Sequence, residues 1–93
     1  MKKVLIVMGS DSDVPQIEAA WGVLSELGIE YEVRVASAHR TPDAVHTIAK
    51  SARTDGFGVV IAGAGIAAHL AGVFASLTTL PVAMLPAPSV TES

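Results

Sequence analysis

The sequence predicts an α/β domain in which one parallel β-sheet lies between two layers of helices, a three-layer αβα arrangement. Short apolar runs of strand length alternate with longer segments of helical periodicity, in the order βαβαβαβ. Because each helical segment returns the chain to the same end of the sheet, consecutive strands are expected to run parallel. Residues 1–93 are expected to form one domain around a single hydrophobic core.

The first strand and the first helix have clear sequence signals. Residues 4–8 form a continuous apolar run, which the turn-forming segment 9–13 ends. Apolar side chains then recur at helical spacing through residues 17–27, preceded by a helix cap at Ser12 or Asp13 and followed by a glycine stop. These patterns predict a buried strand and an amphipathic helix.

The second strand and the second helix follow the same order. Residues 29–35 alternate strictly between apolar and polar side chains, which predicts an edge strand with one wetter face. Thr41 is the expected cap of the next helix, followed by a proline in its first turn. His46 falls on the solvated face of this helix. The opposite, buried face is expected to contain Val45, Ile48, Ala49 and Ala52.

The remaining elements set the strand order. Residues 57–62 predict a buried third strand, residues 63–77 a glycine-rich turn that continues into a helix, and residues 81–85 a fourth strand. With the first and third strands buried and the second at an edge, the order is 2-1-3-4, as in flavodoxin-like folds. Ligands of such sheets bind outside the carboxyl ends of the strands, at the topological switch point. Here that point lies between strands one and three, because successive strands are added in one direction before it and in the other direction after it.

Composition argues against several classes of protein. Although 51% of the residues are hydrophobic, no apolar stretch reaches the roughly 18 residues of a membrane span. The basic start of the chain leads into one short apolar run and then acidic residues, which indicates a first strand rather than a signal peptide. The net charge of −3 and the scattered Lys and Arg residues argue against nucleic-acid binding. The absence of cysteine fits a cytoplasmic protein and leaves no thiolate chemistry.

Three polar or glycine-rich segments follow the first three strands and converge on the predicted crevice. They read "GSDSD" (9–13), "SAHR" (37–40) and "GAG" (63–65). Arg40 alone could lie over the sheet edge with its charge in water, and the first segment could serve only as a turn and cap. His39 beside an arginine at the end of a strand favours a functional role instead.

The segment "GAGIAA" (63–68) matches a dinucleotide-binding fingerprint with alanine in the last place. It follows the third strand rather than the first, and no acidic residue lies about 20 positions further on to bind a ribose. A flavin or dinucleotide-binding domain is therefore the weakest hypothesis. The glycines could equally allow the backbone to approach a ligand or a neighbouring strand closely.

Taken together, the stretches "VMGSDSD", "VASAHRTPD" and "VIAGAGIAAHLAG" resemble the PurE family, the carboxyaminoimidazole ribonucleotide mutases of purine biosynthesis. Members of that family are flavodoxin-like, cofactor-free and typically octameric. The resemblance therefore implies an isomerase with a ribonucleotide substrate, no metal or other cofactor, and a homo-oligomeric assembly in the cytoplasm.

The resemblance also implies roles for individual residues. His39 corresponds to the catalytic histidine and Arg40 to the phosphate-binding arginine. The second family histidine corresponds to His69, and the pair favours the mutase over the related carboxylase branch, which uses free carbon dioxide. The substrate-binding positions implied in addition to Arg40 are Ser10, Asp13, Ser37, Gly63, Ala64, Gly65, His69 and Leu70.

The sequence departs from the family pattern at several points. Ile66 stands where a third glycine is usual, Ala71 replaces a proline, and Leu77 replaces a lysine. The family also has a further half, with another strand and more helices, so the chain is expected to be shortened at its C-terminus. A non-catalytic nucleotide-binding or assembly module with the PurE fold is the alternative to an active mutase.

Overall fold

The computed structural model describes residues 2–9, 14–37, 40–63 and 67–85. Within these ranges the chain alternates between strands and helices, as the sequence predicts. The elements are β1 (Lys3–Met8), α1 (Val14–Glu26), β2 (Tyr31–Val35), α2 (Pro42–Ser51), β3 (Phe57–Gly63), α3 (Ala67–Leu77) and β4 (Val82–Leu85).

The four strands form one parallel sheet in the order β2-β1-β3-β4, which confirms the predicted order. The chain moves outward from β1 to β2, then returns past β1 to β3 and continues to β4. Right-handed crossovers in opposite directions place helices on opposite faces of a sheet. The predicted three layers follow: α1 packs on one face, and α2 and α3 pack on the other.

Two hydrophobic clusters lie on the two faces of the sheet. On the side of α2 and α3, the fully buried Phe57 and Phe74 pack with alternate residues of β1 and β3. On the side of α1, the buried Ile17 packs with the other alternate residues of these strands. Residues 4–8 of β1 are buried throughout, whereas Val59 and Ile61 of β3 are half-buried on the α1 side, so β3 is less enclosed than predicted.

The connections from α1 to β2 and from α2 to β3 have the same backbone hydrogen bonds. After α1, the N–H of Ile29 donates to Leu24 O at 2.9 Å and that of Gly28 to Ser25 O at 3.1 Å. After α2, the equivalent bonds run from Phe57 to Ala52 and from Gly56 to Arg53. Both glycines have positive φ, 73° and 97°. Each connection is thus a Schellman motif, in which a left-handed glycine ends the helix.

This motif explains where the observed elements differ from the predicted ones. Because the chain turns away at Gly28, α1 ends at Glu26, and Leu27, expected on the buried stripe, is 66% exposed. Ile29 is used to close the motif, so β2 begins at Tyr31 instead of residue 29. In α2 the predicted stripe is confirmed, with Val45, Ala49 and Ala52 buried and Ile48 packed beside them. His46 is exposed, as expected.

The edge strands differ in polarity. β2 is half-buried to exposed, as predicted for an edge. β4 is a short apolar strand whose central residues Ala83 and Met84 are exposed. No helix in the described part of the chain is both long and apolar enough to cross a membrane.

Candidate active site

The carboxyl ends of the four strands lie in one row. Val35, Met8, Gly63 and Leu85, each the last residue of its strand, are neighbours in the register of the sheet. Pairing continues one residue past β2, where the N–H of Ala36 donates to Met8 O at 2.8 Å. The three segments that leave β1, β2 and β3 therefore depart side by side, and each leads to a helix that begins at this end.

Two polar side chains close the turn between β2 and α2. The Thr41 hydroxyl accepts from the Ser37 N–H at 2.8 Å and donates to Ser37 O at 3.2 Å. The N–H of Thr41 donates to the same carbonyl oxygen at 2.9 Å. The Ser37 hydroxyl in turn accepts from the N–H of Arg40 at 3.1 Å. These bonds join Ser37 to Arg40 and Thr41, which lie before and after the predicted catalytic position in the sequence.

The function of Thr41 differs from the one predicted. It occupies the N-cap position of α2, but its side chain makes no capping hydrogen bond, because the hydroxyl is bonded to Ser37. A hydroxyl four residues after a serine that closely follows the strand was a visible signal for this arrangement, since serine and threonine side chains commonly bond to nearby backbone groups. The sequence reading assigned Thr41 to the helix alone.

Arg40 is exposed, and its backbone N–H is held by Ser37. A guanidinium group offers five N–H donors in a rigid fork that matches phosphate oxygens. The start of α2 adds a partial positive charge beside Arg40, which Asp43 in the first turn offsets in part. The described geometry is therefore suited to binding one anionic group at this end of the sheet.

His69 and Leu70 lie next to one another in the first turn of α3 and differ in burial. Leu70 is 3% exposed and packs in the cluster under α2 and α3, where it fixes the start of the helix on the sheet. His69 is exposed at the same end of the molecule as Arg40. This exposure is compatible with a position facing the predicted crevice and with a position at a subunit contact.

Gly63 has a packing role. It is buried at the end of β3, and a Cβ atom added there would overlap with Cδ1 of Ile17. Ile17 is fully buried, so it has little room to move. The absence of a side chain at Gly63 thus lets α1 approach the sheet closely, whereas the roles expected from the sequence were close approach to a ligand or to a neighbouring strand.

Several predicted site residues lie outside the described residues, namely Ser10, Asp13, His39, Ala64 and Gly65. Ile66, one of the departures from the family pattern, also lies there. The other two departures, Ala71 and Leu77, are partly buried against the core on the side of α2 and α3. Leu77 ends α3 and so lies at the opposite end of the sheet from Arg40.

A charged group away from this end of the sheet is structural. Glu32 in β2 accepts hydrogen bonds from Lys3 Nζ at 2.8 Å and Arg34 Nη2 at 2.6 Å. These two bonds, that of Lys3 first, lower the pKa of Glu32 below its ordinary value of 4.5. Within the described ranges, no cluster of three or more His, Asp or Glu side chains could hold a metal ion.

Comparison with known proteins gives consistent matches. The family model of AIR carboxylase matches residues 3–93. An N5-carboxyaminoimidazole ribonucleotide mutase of Thermotoga maritima is 54% identical over 86 residues, which cover 92% of this chain and 50% of the relative. A mutase of the same name from Saccharolobus solfataricus is 52% identical over 89 residues, covering 96% of this chain and 56% of the relative.

A solved structure agrees with the fold. The crystal structure of Treponema denticola PurE has a TM-score of 0.85 and 32% identity, and the match covers 97% of this chain and 58% of that one. The chain thus spans about half the length of the curated relatives and of the solved structure that it matches.

Proposed function

The chain belongs to the AIR carboxylase family, and on that premise we propose that it binds a carboxyaminoimidazole ribonucleotide at the carboxyl ends of its strands and acts as a mutase of purine biosynthesis. The observation that carries the proposal is the row formed by the ends of β2, β1 and β3. It brings the Arg40 turn and the start of α3 with His69 to one end of the sheet, where folds with this strand order bind their ligands.

The proposed reaction moves a carboxylate from an exocyclic nitrogen to the adjacent ring carbon. The bond from nitrogen to the carboxyl carbon breaks, carbon dioxide departs, and the nitrogen gains a proton. The electron-rich ring carbon then attacks carbon dioxide, and the newly carboxylated carbon loses its proton. Atoms and charge balance without an external reactant, which makes the reaction an isomerisation.

His39 is the proposed acid and base. A histidine titrates near neutrality, so the same side chain can protonate the nitrogen and later accept the proton from the ring carbon. Because it gives one proton and takes one back, the enzyme returns to its starting state. The hydrogen bonds among Ser37, Arg40 and Thr41 support this assignment, since they hold together described residues on either side of His39 in the sequence.

Arg40 is the proposed phosphate ligand. Its exposure lets a phosphate approach from solvent, and its backbone is already ordered by Ser37, so less conformational entropy is lost on binding. We assign secondary binding roles to Ser10, Asp13, Ala64 and Gly65 from the family pattern. Gly63 and Leu70 are proposed to support the site through packing. Gly63 leaves space for the side chain of Ile17, and the buried Leu70 anchors α3 on the sheet.

A non-catalytic module with the same fold is the second candidate function. A module of this kind would bind the ribonucleotide without converting it. Loss of the carboxyamino substrate, followed in the presence of the purified chain, distinguishes the two candidates.

We further propose that the chain self-associates, as a homo-oligomer in the cytoplasm. β4 is an outer strand with an exposed apolar centre, and Met84 there is 54% exposed. Open strand edges with apolar side chains pair readily with other chains. Analytical ultracentrifugation at several concentrations is expected to show association that Met84→Lys weakens, and a monomer at all concentrations would contradict this proposal.

Titration calorimetry tests the ribonucleotide proposal. We expect saturable binding of aminoimidazole ribonucleotide, and weaker binding by Arg40→Gln. Arg34→Gln is the matched control, because it removes the same charge from an exposed side chain in β2. Binding of FMN or NAD without binding of the ribonucleotide would overturn the proposal in favour of a flavin or dinucleotide-binding domain.

A further inference from the structure

A cleft lined by basic and hydroxyl-bearing side chains lies at the amino ends of the strands, opposite the candidate active site. It has a volume of about 500 Å³, within the range of small-molecule sites. The residues come from four places in the chain: the start of the chain, the end of α2, the turn that follows it, and the end of α3. The lining comprises Lys2, Lys50, Arg53, Thr54, Leu77, Thr78 and Thr79.

The cleft is cationic in a chain that is acidic overall. The chain has six Lys and Arg residues and a net charge of −3, and three of the six line the cleft. Among the described residues that line it, none is acidic. Two of the other cations, Lys3 and Arg34, are paired with Glu32. The concentration of positive charge in the cleft therefore does not reflect the composition of the chain.

Helix ends offer a simpler explanation for these cations, and it accounts for only part of them. The carboxyl ends of α2 and α3 lie at the cleft, and each carries roughly −0.5 of an elementary charge. Lys50 in the last turn of α2 is well placed to offset that charge, whereas the last turn of α3 contains no basic residue. Two helix ends offset about one of the three cations, which leaves roughly two positive charges.

Hydrogen bonds order part of the cleft. Arg53 Nη1 donates to the Thr79 hydroxyl at 2.8 Å, which links the turn after α2 to the segment after α3. The Thr79 oxygen accepts this bond, so its own proton is available to a ligand. Thr78 accepts from the N–H of Leu80 at 3.2 Å and can donate in the same way. Arg53 retains further N–H donors, which suit the oxygens of a phosphate.

We propose that this cleft binds a phosphate monoester. The dianion matches the roughly two positive charges that remain, and the guanidinium, ammonium and hydroxyl groups are all donors to its oxygens. Leu77, which is half-buried, supplies an apolar wall for the carbon skeleton of the ester. The site is separate from the ribonucleotide site, because the strands between them span roughly 20 Å at about 3.3 Å per residue.

Nuclear magnetic resonance titration of the purified chain tests the proposal. With inorganic phosphate and then glycerol phosphate as probes, we expect saturable shifts of the backbone amides of Lys50, Arg53 and Thr79. The ester is expected to bind more tightly than inorganic phosphate, because only the ester contacts Leu77. The variant Arg53→Gln is expected to weaken binding at least tenfold, and Arg53→Lys by less, since it keeps the charge without the fork.

Two control variants decide the outcome. Arg34→Gln changes the net charge as Arg53→Gln does, and is expected to leave phosphate binding at the cleft unchanged. Arg40→Gln is expected to leave it unchanged as well, which separates this site from the proposed ribonucleotide site. Shifts that do not saturate, or equal losses in Arg34→Gln and Arg53→Gln, would show general charge attraction and overturn the proposal.

Discussion

At the amino ends of the strands, the connections after α1 and α2 are closed by backbone hydrogen bonds and a left-handed glycine, whereas at the carboxyl end the connection after β2 is closed by the hydroxyls of Ser37 and Thr41. A closure made by backbone hydrogen bonds requires a glycine at the left-handed position and no particular side chain elsewhere. A side-chain closure uses polar groups beside the site and holds the backbone N–H of Arg40. The two ends of the sheet are therefore expected to tolerate substitution differently. The amino-end connections depend on their glycines, whereas the connection after β2 depends on the side chains of Ser37 and Thr41.

The largest expected effect is on catalysis at the carboxyl end. His39→Asn is expected to lower mutase turnover by about 10² to 10⁴, because a general acid or base contributes roughly that factor. Affinity for the ribonucleotide is expected to change only a few-fold, as phosphate binding is assigned to Arg40. Steady-state assays and calorimetry on the same sample measure the two quantities. A near-normal rate would return His39 to a structural role.

Gly63 tests whether a carboxyl-end glycine serves packing. Gly63→Ala places a Cβ against Cδ1 of the buried Ile17 and is expected to reduce the free energy of unfolding by about 1–3 kcal/mol. In an Ile17→Val background, where that carbon is absent, the same change is expected to cost less. Denaturant unfolding of the two single variants and the double variant measures the coupling. Equal costs in both backgrounds would contradict the packing role.

Gly28 tests the backbone closure at the amino end. Gly28→Ala is expected to destabilise the fold by about 1 kcal/mol, because alanine is strained at a φ of 73°. Gly22→Ala is the matched control within α1, where a new Cβ meets nothing within 4 Å. It is expected to stabilise by about 0.5–1 kcal/mol through helix propensity. Thermal unfolding shows both effects, and a neutral result at Gly28 would argue against the Schellman closure.

The smallest expected effect concerns Glu32, which belongs to neither end. Its pKa is lowered in the folded state by Lys3 and then Arg34, so its contribution to stability is present above the ordinary carboxyl value of 4.5 and is lost as the pH falls through the lowered pKa. Glu32→Gln is therefore expected to lower Tm slightly at neutral pH. The difference should shrink in acid and at high salt. A gap that is unchanged in strong acid would contradict this assignment.

The sequence predicted the elements and their order, because apolar periodicity and turn residues act locally, and the strand patterns then place β2 at an edge and β1 and β3 inside the sheet. It could not predict contacts that depend on distant segments. The packing of Ile17 on Gly63 joins α1 to β3, and the cationic cleft assembles residues from Lys2 to Thr79. The exposure of Leu27 and the bonding of Thr41 to Ser37 were misjudged for a different reason, since in each case two local structures competed for one residue.

The most direct test of the account compares one arginine from each end. Calorimetry with aminoimidazole ribonucleotide is expected to show one tight site in the unaltered chain, distinct from weaker binding of its phosphate group at the amino-end cleft. We predict that Arg40→Gln weakens this site at least tenfold and that Arg53→Gln, with the same change of net charge, leaves it unchanged. The opposite result, a loss in Arg53→Gln with normal binding in Arg40→Gln, would place the ribonucleotide at the amino ends of the strands and contradict the assignment of the active site.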